Sequence, residues 1–137
     1  MTAPTLSEGI TLKINDSFAR QRMMATLQAR LDVIETGRIV IVAPILDATH
    51  QQHGFAHAAV TFALGDSAAG YAALSVMGPG DEVMTAEMKI NLLAPAAGER
   101  LEATGHVIKA GKRLVIVGAT SSISFIVMVQ SSSNVSP

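Results

Sequence analysis

Residues 56–77, AHAAVTFALGDSAAGYAALSVM, constrain this chain more than any other stretch. They are apolar on every side of a helix and rich in Ala and Gly, and Gly78-Pro79-Gly80 ends them sharply. A helix that is apolar all round has no face to give to water, so burial on all sides is expected. Ala59, Ala63, Gly65, Ala68, Ala69 and Gly70 carry little side chain, which lets a sheet approach closely and wrap the helix.

The rest of the chain supplies that sheet. Residues 17–30 read as a helix, with Asn15 and Asp16 as caps and Phe18, Met23, Met24, Leu27 and Leu31 at helical spacing. Residues 31–35 and 38–46 read as a hairpin around Thr36-Gly37, with Pro44 near a strand end, where a missing donor matters least. Residues 47–55 form a loop. In residues 83–92, Met84, Ala86, Met88, Ile90 and Leu92 alternate with Thr85, Glu87, Lys89 and Asn91, as in a half-buried antiparallel strand. Pro95 and Gly98 mark its exit. Residues 100–109 and 112–121 follow as strands around Ala110-Gly111, and 123–131 as the last strand. One long helix among runs of strands is not an alternating βαβ pattern. The expected class is α+β: a single domain over 1–137, an antiparallel sheet curled around one central helix, with residues 1–15 and 132–137 frayed.

Composition narrows the function. Ten basic residues against eleven acidic ones argue against a nucleic-acid binder, and the absence of Cys removes disulfides, thiolate zinc and a Cys nucleophile. The mean hydropathy of +0.38 raises a membrane reading. Its only candidate, the uncharged tail from Leu114, is interrupted by Thr120, Ser121, Ser122 and Ser124 and is short of the roughly 20 apolar residues a span needs. Val and Ile favour strands there. No signal-like run opens the sequence, so the expected address is the cytoplasm.

Between Asp47 and Asp81 the one charged residue is Asp66, mid-way along the apolar helix. Asp is a poor interior helix former, and an unpaired buried carboxylate costs several kcal/mol. Asp66 is therefore a site candidate, set against a plain alternative in which a Ser or Thr caps it or it faces solvent. A second element is the helix start at Ala58 and Ala59, where backbone N–H groups lack internal acceptors at the positive end of the dipole. That suits a developing oxyanion. His57 beside it is either a donor or a satisfied His at a helix start, and taken alone the structural role is favoured. Eight residues separate Ala58 from Asp66, ~12 Å along a helix. If both act on one carbon, the acid must come from a second subunit whose helix runs antiparallel, which gives a two-fold dimer with two identical shared sites.

The stretch QQHGFAHAAVTFALGDSAAGYAA resembles the hotdog-fold acyl-CoA thioesterases, in the branch of the phenylacetate-pathway (PaaI-like) enzymes. It follows their pattern of an amide, a Gly, then His-Gly-Gly and an acid nine residues after the His; here these are Gln51, Gly54, His57 and Asp66. AEMKINLLAPAAGERL resembles the next family strand and its Pro exit, and SFARQRMMATLQARL the N-terminal helix. The resemblance implies that Asp66 is nucleophile or general base and that the Ala58 N–H serves the oxyanion, with Ala58 and Ala59 replacing the two Gly. It further implies that Gln51 contacts the thioester or water and that the Thr85 hydroxyl places the attacking water. A Ser or Thr one turn after the acid, used by some relatives, is replaced here by Gly70. Coenzyme A is implied as the carrier of the substrate, not as a bound cofactor. Lys109, Lys112 and Arg113 around Gly111, together with Lys89, are the cationic candidates for its phosphates, beside Gly54 and Ala59 as substrate-binding positions. His50 and His53 have no evident acid beside them, so no metal site is expected. The tail departs from the family, and its short uncharged last hairpin is expected to leave an adhesive edge.

The expected function is hydrolysis of acyl-CoA by a homodimer able to pair again into a homotetramer, with no nucleic-acid or membrane partner. A non-catalytic acyl-CoA-binding module and a hotdog dehydratase or hydratase are the alternatives. No Gly-His-Phe-Pro-type segment supports the dehydratase, and a binder has no need of a buried base.

Overall fold

The computed structural model describes residues 6–92, 96–110, 114–120 and 123–132. Helices α1 (Glu8–Arg20) and α2 (Arg22–Thr26) lead into the hairpin β1 (Arg30–Glu35) and β2 (Arg38–Pro44). A loop with a 3-10 turn at Asp47–Thr49 precedes α3 (Ala58–Leu74), and β3 (Glu82–Leu92), β4 (Arg100–Ala110), β5 (Leu114–Thr120) and β6 (Ile123–Ser132) complete the chain order. The strands form one six-stranded sheet in the order β1-β2-β4-β5-β6-β3. Every pairing is antiparallel. Helix α3 packs on β2, β3, β4, β5 and β6. Ile39, Ile41, Ala43, Leu101 and Ala103 of the sheet share one core with Val60, Leu64, Ala68, Ala69, Ala72 and Ala73 of α3. This is the sheet-around-helix architecture expected from the sequence.

The small residues of α3 set how close the sheet comes. At the centre of the crossing, a methyl group built on Gly105 of β4 would overlap the backbone of Ala68 and Ala69. The close approach thus needs Gly on the strand as well as Ala on the helix. At the C-terminal end of α3 the Ser75 hydroxyl donates to the Ala72 carbonyl at 2.6 Å and accepts from the Gly37 N–H at 2.7 Å. This fastens the β1–β2 turn, where Gly37 has φ +74°, to the end of the helix.

Four expectations are corrected. The N-terminal helix does not run over 17–30. Helix α1 starts nine residues earlier, its N-cap Ser7 accepting from the Ile10 N–H at 3.3 Å, and it buries Ile10 and Ile14. Residues 8–15, expected to fray, therefore belong to a packed helix. Asn15 and Asp16 lie inside it: Asn15 Nδ2 donates to the Thr11 carbonyl, and Asp16 pairs with Arg20. The helix breaks at Gln21, and Arg30 already opens β1.

The alternation of β3 is broken by a bulge, its register with β6 shifting between Thr85 and Glu87. Val83 and Met88 both pack against the core, whereas Met84 is 58% exposed. A bulge of this kind re-aims the side chains on either side of it.

The last hairpin forms, with β5 and β6 paired from Leu114↔Gln130 to Thr120↔Ser124. Strand β6 lies between β5 and β3, so it is an interior strand; the sheet edge falls instead on β3. Among the described residues no helix is long and apolar enough to cross a membrane.

Finally, α3 is not buried on all sides. Residues 71–74 are buried, but Ala58 and Ala59 are exposed, Phe62 is 42% exposed, and Ala63, Asp66, Ser67 and Gly70 are half-buried. The sheet wraps the helix incompletely and leaves a strip beside the β3 edge, apolar at Phe62 and Ala63 and polar at Asp66 and Ser67.

Candidate active site

The loop before α3 is held by its own polar groups. Gln51 Oε1 accepts from the His53 N–H at 2.5 Å and the Phe55 N–H at 3.3 Å. Its main chain accepts from the Gly54 N–H at 3.1 Å and donates to the Phe55 carbonyl at 2.8 Å. Gly54 turns the loop at φ +83°, a conformation that favours Gly. The Gln51 oxygen is thus engaged, and its Nε2 hydrogens are the donors it has left. His50 Nδ1 stands 3.6 Å from Asp47 Oδ1, so an acid does lie beside it. Among the described residues, however, no group of three or more His, Cys, Asp or Glu side chains is placed to hold a metal ion.

His57 is the N-cap of α3, and its Nδ1 accepts from the Ala59 N–H at 2.9 Å. The imidazole is thereby a structural cap. Of the two N–H groups proposed for an oxyanion, Ala59's is occupied. Ala58's meets no acceptor among the described residues.

Asp66 and Thr85 are brought together by α3 and β3. The Thr85 hydroxyl donates to Asp66 Oδ1 at 2.7 Å. Thr85 reaches the helix because it precedes the bulge, on the side of β3 that also turns Val83 inward. Asp66 is half-buried rather than enclosed, so it combines the two plain possibilities, a hydroxyl partner and partial access to solvent.

Both residues line a cavity of about 230 Å³ between α1, α3 and β3, which Ser17, Gln21, Ser67 and Tyr71 also line. The sequence reading missed these four. Gln21 Nε2 donates to Tyr71 Oη at 2.6 Å, Ser67 donates to Gln21 Oε1 at 3.3 Å, and Ser17 Oγ lies 3.0 Å from Tyr71 Oη. One signal was available: Tyr71 is the only Tyr in the chain and sits in its most apolar helix.

The thioesterase superfamily model matches residues 53–121, the segment that holds the helix start, Asp66 and Thr85. The chain belongs to the thioesterase superfamily. A thioesterase family protein from Silicibacter pomeroyi is 39% identical, with 89% of this chain and 97% of that one covered and a TM-score of 0.87. The E. coli PaaI protein from the phenylacetic acid degradation operon is 20% identical, with 92% and 95% covered and a TM-score of 0.82. A Bacillus halodurans protein solved with CoA is 20% identical, with 96% of each chain covered and a TM-score of 0.74. The latter two likenesses speak to the fold, which is the hotdog fold. Among curated proteins no match was found.

Within this thioesterase-superfamily chain the candidate residues fall into two groups. Gln51, Gly54, His57, Ala58 and Ala59 surround the start of α3, and Asp66 and Thr85 lie about two turns further along. Lys89 on β3 and Lys109 near the end of β4 are exposed, and neither lines the Asp66 cavity. Lys112 and Arg113 lie outside the described residues.

Proposed function

We propose that the chain hydrolyses acyl-CoA thioesters to the free acid and coenzyme A. The observation that carries this reading is the Asp66 carboxylate, held by Thr85 at 2.7 Å on the rim of a cavity. Hydrolysis needs an oxygen base or nucleophile at the thioester carbonyl. A carboxylate can take the proton of an attacking water or add to the carbonyl carbon itself. Either route puts negative charge on the carbonyl oxygen and then expels the coenzyme A thiolate; in the first Asp66 passes its proton on to the thiolate, and in the second water cleaves the acyl-Asp66 anhydride to release the acid. An N–H at a helix N-terminus stabilises that charge, and the Ala58 N–H has no competing acceptor among the described residues. Gln51 Nε2 orients the thioester or the water, and the cationic side chains Lys89, Lys109, Lys112 and Arg113 meet the phosphates.

Ala58 and Asp66 sit on one continuous helix, ~12 Å apart. One carbonyl cannot touch both, so the site is shared between two subunits of a homodimer. Support comes from β3, an edge strand of eleven residues beside the uncovered strip of α3. Pairing β3 with its copy would continue the sheet and cover Phe62 on its helix side.

The test is a hydrolysis screen over acyl-CoAs with wild type and Asp66→Asn. Losing the base should slow the best substrate by roughly 10²–10⁴-fold. A folded Asp66→Asn protein that works at the wild-type rate removes Asp66 from the chemistry.

A further inference from the structure

We infer that helix α1 is a clamp for the Asp66–Thr85 pair: its stripe of Lys13, Ser17 and Gln21 ties α3 to the start of β3 and so sets the Thr85 hydroxyl against the carboxylate. This rests on the hydrolase reading and deepens it by adding Lys13 as a positioning residue that acts through Thr85.

Lys13 provides the first tie. Its ammonium donates to the Pro79 carbonyl at 3.0 Å and to the Asp81 carbonyl at 2.5 Å, and it stands 3.4 Å from Glu82 Oε1. An ammonium has three N–H donors, and each finds an oxygen here. The Glu82 side chain is 61% exposed, so the ion pair adds little. The two carbonyl bonds carry the tie, because a charged donor makes the stronger hydrogen bond. Both carbonyls belong to the turn between α3 and β3. That turn is stiff: Asp81 Oδ2 accepts from the Gly78 N–H at 2.9 Å, and the Asp81 N–H donates to the Gly78 carbonyl at 3.0 Å. Holding the turn therefore holds Glu82, the first residue of β3, and with it Thr85 three residues on.

The second tie lies at the other end of the stripe. Lys13, Ser17 and Gln21 recur every four residues and share one face of α1. Gln21 Nε2 donates to Tyr71 Oη at 2.6 Å, Gln21 Oε1 accepts from Ser67 at 3.3 Å, and Ser17 Oγ lies 3.0 Å from Tyr71 Oη. Ser67 directly follows Asp66 on α3. Ile10 and Ile14 seat α1 on the core, but apolar burial is non-directional. The polar stripe fixes where α1 stands along α3 and, through Lys13, where β3 begins.

Strand β3 needs such a tie. It is an edge strand with β6 as its neighbour. Its ladder of backbone bonds fixes it to β6, not to α3. A misplacement of about 1 Å in a catalytic constellation can cost about a hundredfold in rate.

The experiment is a double-mutant cycle on the best acyl-CoA substrate. Lys13→Met, which keeps the apolar stem and removes the ammonium, should lower kcat by about three- to thirtyfold with KM within about twofold of wild type. Lys13→Arg, which still donates to the carbonyls, should recover most of the loss. In a Thr85→Val background the Lys13→Met change should cost less than about twofold more, because the contact it positions is already gone. Asp81→Ala, which loosens the turn, should behave alike and serves if Lys13→Met fails to fold. Wild-type kcat in a folded variant, or the same fold loss with and without the Thr85 hydroxyl, overturns the clamp. A second readout is independent of turnover. With Asp carrying carbon-13 in its carboxyl group, the Asp66 resonance, assigned through Asp66→Asn, should move in Lys13→Met in the direction it moves in Thr85→Val. An unmoved resonance overturns the clamp. If no acyl-CoA is hydrolysed, the hydrolase reading fails by itself, and this resonance alone judges the clamp.

Discussion

The Thr85 hydroxyl donates to Asp66 Oδ1 at 2.7 Å across the space between β3 and α3. Val83 and Thr85 face the helix by ordinary alternation, and the bulge after Thr85 is what lets Met88, three positions on, face the core as well. A hydrogen bond to a charged group contributes about 1.5–3 kcal/mol. Thr85→Val keeps the shape and deletes the hydroxyl, so acyl-CoA turnover should fall by about 10- to 100-fold. Thr85→Ser should recover most of it. Unchanged kcat in Thr85→Val returns the residue to a surface role.

His57 caps α3 through Nδ1. His57→Ala should lower stability by about 0.5–2 kcal/mol, as cap losses do, and His57→Asn should restore most of it. Turnover of the folded His57→Ala enzyme should stay within tenfold of wild type. A fall beyond a hundredfold with unchanged stability in urea would make the imidazole part of the chemistry.

Gly105 lies where β4 meets the backbone of Ala68 and Ala69. Gly105→Ala must push the sheet away from α3, and overpacking of this kind costs about 1–3 kcal/mol or more. The urea midpoint should drop accordingly, whereas Gly80→Ala, with open space around it, should leave it nearly unchanged.

Phe62 is 42% exposed one turn before Asp66, on the uncovered strip beside β3. Phe62→Glu places a charge in the proposed dimer seam and should shift the protein toward monomer in light scattering. Turnover should fall with the dimer fraction. A Phe62→Glu protein that stays dimeric and active moves the seam elsewhere.

Much of this fold could be read from local pattern. The length and smallness of α3, the Thr36-Gly37 turn and the strand order along the chain follow from short-range periodicity and turn residues. The N-terminal helix was misplaced because Asn15 and Asp16 use their side chains along the helix, toward Thr11 and Arg20, and not as caps. Alternation in β3 could not reveal a bulge, since the bulge is a property of its pairing with β6. The Asp66–Thr85 pair was legible only as a family pattern, and its contact is long-range. Least visible was the hydrogen-bonded cluster of Ser17, Gln21, Ser67 and Tyr71, whose bonds join residues about fifty positions apart and depend on α1 lying against α3.

The most direct test of a site shared between two chains is complementation. Ala58 is the first residue of α3 and His57 before it is extended, at φ −60° and ψ 139°, so Ala58→Pro fits the backbone while removing the N–H. Asp66→Asn and Ala58→Pro homodimers should each be nearly inactive. In verified heterodimers of the two, one site of each pair is intact, and about half of wild-type turnover should return. Heterodimers as inactive as their parents, or a wild-type monomer that hydrolyses acyl-CoA at full rate, would contradict a site built from Asp66 of one chain and Ala58 of the other.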